Sequence, residues 1–180
     1  MTAKTRNLCL TAVGIALFVA LTLCLQVPVF ENYYLCLGYA VMAVYLCFFG
    51  TASGTIVGCF GVILYCLITG GLRGMPGWTA GNLVIGLLLG STFRATRNSR
   101  QSRGRALIQA AAVVASVALG ILAVKSMTES LLYAQPFLIR AGKNSYAFVA
   151  DAAVLLLSLP LCSALEKPVG RMFPDLRELR

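Results

Sequence analysis

One carboxylate in this chain sits where chemistry is expected. Asp151 lies in NSYAFVADAAVLLL, an otherwise apolar run, and a charge inside such a run is costly unless it is paired or put to use. Asn144 and Phe148 precede it at spacings of seven and three. All three therefore share one face of a helix, with Asp151 roughly 10 Å along the axis from Asn144. Asn82 is a comparable case, since it falls in TAGNLVIGLLLG with Trp78 four residues before it and Gly86 and Gly90 four and eight after. An amide there is read either as a bridge between helices or as a ligand contact. Asp151 is read either as a binding or ion site or as half of an ion pair with a basic residue.

Much other chemistry is excluded. The 180 residues hold no histidine, which removes serine-histidine triads, HExxH zinc sites and imidazole bases together. The seven cysteines (Cys9, Cys24, Cys36, Cys47, Cys59, Cys66 and Cys162) form no CxxC pair or other metal-ligand spacing and read as small apolar residues. With a single acidic residue inside the apolar runs, no carboxylate pair is available. No catalytic residue, metal or cofactor is expected, and no GxxxxGK[ST] loop for ATP occurs.

The elements that must position Asp151 and Asn82 follow from composition. The chain is 59% hydrophobic and 12% charged, with a mean hydropathy of +0.84. Soluble domains run near 45–50% apolar and about 25% charged, so the expectation is an all-α integral membrane protein. A spanning helix takes roughly 20 apolar residues. Six stretches meet this, near 7–27, 34–50, 53–70, 79–94, 105–125 and 145–165, within a single transmembrane domain covering 1–180. The first is read as a retained span because no cleavage site follows it.

Basic residues favour the cytoplasmic side of a membrane. Both termini inside would put eleven of the fifteen there (Lys4, Arg6, Arg94, Arg97, Arg100, Arg103, Arg105, Lys167, Arg171, Arg177 and Arg180) and leave Arg73, Lys125, Arg140 and Lys143 outside. The net charge of +9 then reflects topology and attraction to anionic lipid, and requires no nucleic acid. Three outer connections converge on one side: QVPVFENYY with Tyr33 and Tyr34, GLRGMPGW with Arg73, Pro76 and the only tryptophan, Trp78, and a long loop from Lys125 to Asn144. Tyrosine and tryptophan there serve either as interfacial belt residues or as parts of a site.

Small residues form two stripes. Ala12, Ala16 and Ala20 recur every fourth residue in the first span. Gly50, Gly54, Gly58 and Gly61 do nearly the same around the third. Such stripes let helices approach closely, within this protein or from another.

A six-span chain of this length with that alanine stripe, the tract FFGTASGTIVGCFGVILY and a Pro76/Trp78 loop leading into a glycine-rich span resembles the substrate-binding S component of an energy-coupling factor (ECF) vitamin transporter. The hairpin is similar to members associated with riboflavin-like or queuosine-type substrates, although Val62, Tyr65 and Cys66 stand where those often carry a polar His or Asp. The resemblance implies a multi-pass protein of a prokaryotic plasma membrane that captures a vitamin-like micronutrient at its outer face. It implies a site drawn from Tyr33, Tyr34, Arg73, Trp78, Asn82, Asn144, Tyr146 and Asp151. It also implies docking of Ala12, Ala16 and Ala20 onto a transmembrane coupling subunit joined to two ABC ATPases. A competing reading from the residues alone is a self-sufficient secondary carrier with Asp151 as its proton or ion site.

Overall fold

The computed structural model describes residues 3–24, 27–30, 33–96 and 102–172. Six helices account for nearly all of them. They are α1 (Ala3–Cys24), α2 (Gly38–Phe48), α3 (Thr51–Thr69), α4 (Met75–Thr96), an unbroken rod made of α5 (Ser102–Val117), a π-helical run (Ala118–Lys125) and α6 (Ser126–Tyr133), and α7 (Phe137–Met172). Between α1 and α2 runs a two-stranded antiparallel hairpin, β1 (Val27–Phe30) with β2 (Tyr33–Leu35), pairing Val27 with Leu35 and Phe30 with Tyr33.

Among the described residues, four helices are long and apolar enough to cross a membrane, within Thr5–Cys24, Thr51–Thr69, Arg103–Tyr133 and Phe137–Arg171, and α2 is a shorter apolar helix. α4 has the length, at 22 residues, but its Trp78, Asn82 and four glycines dilute its apolar character. The reason is its position. It packs between α3 and the π-helical run, which bury Gly81, Asn82, Ile85, Gly86, Leu89 and Gly90, while Leu83, Leu87 and Leu88 face outward as side chains of the peripheral helices do. Those peripheral helices turn large apolar side chains outward, with Leu8 72%, Leu157 74% and Leu138 81% exposed, an arrangement that suits hydrocarbon and would be untenable in water. This is a membrane protein.

Several boundaries differ from the expected spans. α2 is shorter than 34–50 because Tyr33–Leu35 pair as a strand. α4 begins four residues before 79 and takes Pro76 and Trp78 into its first turn, where proline's missing N–H costs nothing. α7 reaches well beyond 145–165; its 36 residues extend roughly 54 Å, more than the ~30 Å hydrocarbon core. The long outer loop expected from Lys125 to Asn144 is a correction, because only Ala134, Gln135 and Pro136 leave helical structure. Ser126, Glu129 and Asn144, polar enough to suggest a loop, are instead buried against one another.

The glycine stripes serve packing. A Cβ on Gly58 would lie 2.5 Å from the Met42 sulfur, one on Gly61 2.5 Å from the Phe18 ring, and one on Gly86 2.4 Å from the Thr55 hydroxyl. These contacts join α3 to α2, α1 and α4. Gly81 meets backbone, since its Cβ would stand 2.8 Å from the Gly120 carbonyl oxygen of the π-helical run. The alanine stripe behaves differently: Ala12, Ala16 and Ala20 are all exposed, while Gly14, Phe18 and Thr22 form the inward face of α1.

Candidate functional site

Helices that alternate in direction bring the hairpin, the 70–74 connection and the 134–136 turn to one end of the bundle. A cavity of about 260 Å³ lies at that end. Thr22 of α1 and Cys36 enter its wall beside Tyr65, Cys66 and Thr69 from the last turns of α3. Gly71 and Gly74 supply part of its lining from the connection, Trp78 comes from the start of α4, Lys125 from the end of the π-helical run, and Ala147 and Asp151 from α7. Gly70, which ends α3, has φ +74°, a left-handed conformation that glycine adopts without strain and that turns the chain back toward the cavity.

The polar groups behind the wall form one chain. The Trp78 indole N–H donates to the Tyr39 hydroxyl at 2.9 Å, Tyr39 donates to Asn82 Oδ1 at 2.6 Å, and Asn82 Nδ2 donates to the Gly58 carbonyl at 2.9 Å. Tyr39 and Asn82 are fully buried, so each bond satisfies a group that would otherwise be a liability in the interior. The Tyr39 hydroxyl and the charge of Lys125 both act on the Asp151 carboxyl. Lys125 Nζ stands 5.7 Å over the Trp78 ring, and Tyr65 meets the same ring edge-on with centroids 5.7 Å apart. Among the described residues the cavity therefore offers aromatic surface, one ammonium donor and one carboxyl, all carried on helices.

A second polar cluster lies beside it. Asn144 Nδ2 donates to Ser126 Oγ at 3.0 Å and Glu129 Oε2 at 3.2 Å, and Arg140 approaches the same carboxylate at 3.7 Å. Gly77 permits this contact, for a Cβ there would lie 2.8 Å from Glu129 Cγ.

The residues singled out in the sequence thus separate. Trp78 and Asp151 line the cavity. Asn82 stands behind the wall and bridges α4 to α2 and α3. Asn144 belongs to the second cluster. Arg73 is stacked 5.0 Å over the Tyr133 ring, and Tyr146 is 43% exposed. Tyr33 and Tyr34 are in β2, and their side chains lie outside the described residues. Lys125, Tyr39, Tyr65 and Cys66 were missed as site residues. Lys125 ends an apolar run and reads as a topology marker, and a tyrosine among many apolar neighbours carries no signal of its own.

A helical membrane protein with a small, polar-backed cavity at one end has the architecture of a subunit that holds a solute. Over residues 2–167 the chain matches the family model described as ECF-type riboflavin transporter, S component, and it belongs to that family of ECF S components. No curated protein and no solved structure matches it. Family membership makes it a substrate-binding transport component and not a classical enzyme.

Proposed function

We propose that this chain captures a riboflavin-type vitamin at the extracellular face for ATP-driven import, with Trp78, Tyr65, Lys125 and Asp151 as the contacts. The observation that carries the reading is the meeting of an aromatic face with one donor and one acceptor in a single cavity, in a chain whose family is described by riboflavin transport. A flavin ring is flat and apolar over most of its area, which suits Trp78 and Tyr65. Its dione edge carries carbonyl acceptors for the Lys125 ammonium and an N–H donor for the Asp151 carboxyl. At about 260 Å³ the cavity is just below the ~300–1,000 Å³ common for ligand pockets, which favours a single compact ring system.

The energy would come from partners, a transmembrane coupling subunit and two ABC ATPases. The exposed Ala12, Ala16 and Ala20 stripe is the proposed docking face on the coupling subunit, because bare helix surface lets another helix come close. Six spanning helices, both termini inside and a plasma-membrane location complete the proposal, supported by the eleven-to-four distribution of basic residues.

Titration of the purified chain with riboflavin tests it. The expected result is saturable heat release with quenching of the single tryptophan, Trp78. Riboflavin that neither binds nor quenches would remove the substrate assignment. Uptake into vesicles should require the added ATPase module, and uptake by this chain alone would favour the secondary-carrier reading.

A further inference from the structure

The wall formed by the 70–74 connection has no helix of its own to hold it, yet it is tied down from outside. The Tyr133 hydroxyl, at the end of α6, donates to the backbone carbonyl of Arg73. The Arg73 guanidinium lies 5.0 Å from the Tyr133 ring centroid and that of Arg140 lies 5.7 Å from it, so one ring joins the connection to the start of α7. Tyr133 is itself anchored. Arg140 pairs with Glu129 at 3.7 Å, and Glu129, only 5% exposed in its side chain, accepts from Asn144. α6 ends immediately after Tyr133 in a left-handed turn at Ala134 (φ 50°), and Ser130 Oγ donates to the Gln135 carbonyl at 2.6 Å to hold that turn.

We propose that Tyr133 is the positioning residue of the cavity rim: its hydroxyl and ring hold the 70–74 connection, and with it Gly71 and Gly74, against the cavity, so that a solute enters or leaves only when this contact opens. The inference rests on the reading of the cavity as the solute site. The connection is a turn closed by its own backbone bonds, Gly74 N–H to the Gly71 carbonyl at 3.1 Å and Met75 N–H to the Leu72 carbonyl at 3.3 Å, so its internal shape is set while Gly70, Gly71 and Gly74 leave its placement against the cavity to an external tether. The tether is polar and lies at the bundle's end, where water competes for each of its bonds. It is therefore suited to opening, unlike the fully buried Trp78–Tyr39–Asn82 chain.

Tyr133→Phe keeps the ring between its two guanidinium groups and removes only the hydroxyl. The primary readout needs no solute. Cys66 lines the cavity and is 2% exposed, so in the full chain with Cys66 as its only cysteine, the rate of modification by a small hydrophilic thiol reagent reports opening of the rim. Tyr133→Phe should accelerate that modification about two- to tenfold, the range set by one neutral hydrogen bond. The melting temperature should fall by no more than that same fold-change accounts for, about 0.4–1.4 kcal/mol of stability. In the chain with all seven native cysteines, association and dissociation of riboflavin should rise together by a similar factor, leaving Kd within about twofold. Arg73→Ala, which keeps the backbone carbonyl and removes a guanidinium from the ring, should move the rates in the same direction.

Unchanged Cys66 modification in both variants overturns the proposal, as does acceleration accompanied by a loss of stability well beyond about 1.4 kcal/mol, the tenfold limit, which would mean general loosening. Accelerated modification in a protein that does not bind riboflavin supports the tether and removes the substrate instead.

Discussion

Asp151→Asn preserves size and the contact with Tyr39 while removing the charge, and the structure sets different expectations for stability and for binding. Asp151 is 4% exposed, but Lys125, the cation acting on it, is only partly buried and faces a cavity that water can enter. Breaking a fully buried ion pair costs about 3–5 kcal/mol. Asp151 and Lys125 make no salt bridge among the described residues, and the ammonium beside the cavity can be hydrated, so the empty protein should lose less than ~2 kcal/mol. A bound ligand that displaces this water and donates to the carboxylate forms a charge-assisted bond of about 1.5–3 kcal/mol. Losing it should raise Kd about 10- to 150-fold. Calorimetric titration with riboflavin, beside melting curves of the empty protein, measures both. The reasoning is refuted if Kd is unchanged while the melting temperature falls steeply, for then the carboxyl only neutralises Lys125. In that case Asp151→Asn combined with Lys125→Met would regain stability lost in the single variant.

Three further outcomes follow from the packing. Ala16→Leu places bulk on the exposed alanine stripe and should weaken co-purification with the coupling subunit while riboflavin affinity is kept; lost folding of the isolated chain would assign the stripe to internal packing instead. Gly81→Ala should destabilise by about 1–3 kcal/mol in melting experiments, because its Cβ would lie 2.8 Å from backbone that cannot swing away, whereas Gly142→Ala, inside α7 with nothing within 4 Å, should stabilise by about 0.4–1 kcal/mol. Single cysteines at Asn32 and Ser99, in a background free of the native seven, should react with impermeant reagents from opposite faces of the membrane, and labelling of both from outside would contradict the eleven-to-four topology.

Helices were legible here because hydrocarbon demands long apolar runs, but the same rule misplaced their ends. It stops counting at polar residues, and Ser126, Glu129 and Asn144 are polar residues that satisfy one another across two helices. The chain continues as helix through them because their hydrogen-bonding needs are met sideways, leaving nothing for a loop to provide. α4 fails the count for the opposite reason. One face of α4 is covered by protein, so it can carry Asn82 and four glycines there while Leu83, Leu87 and Leu88 keep its outward face apolar.

The cavity follows the same logic. Asp151 could be noticed in one dimension because a carboxyl in an apolar run has few explanations. Tyr39, which connects it to Trp78 and Asn82, could not, since a tyrosine at position 39 resembles those at 33, 34 and 45 until the helices are packed. Tyr45 spends its hydroxyl on the Leu10 carbonyl, at the other end of α2 from the cavity, and the two residues differ only in which neighbours the fold brings to them. Asn82 shows how such a network restricts what a site can use. Its oxygen accepts from Tyr39, its nitrogen donates to Gly58 and the residue is fully buried outside the cavity lining, so it stabilises the wall from behind and does not face a solute. Selectivity must then come from groups whose bonds are not all taken by the protein. Among the described residues of this cavity wall, the proposed ones are the carboxyl of Asp151 and the ammonium of Lys125, so it is at these two and not at the buried amide that substitution should alter binding before it alters the fold.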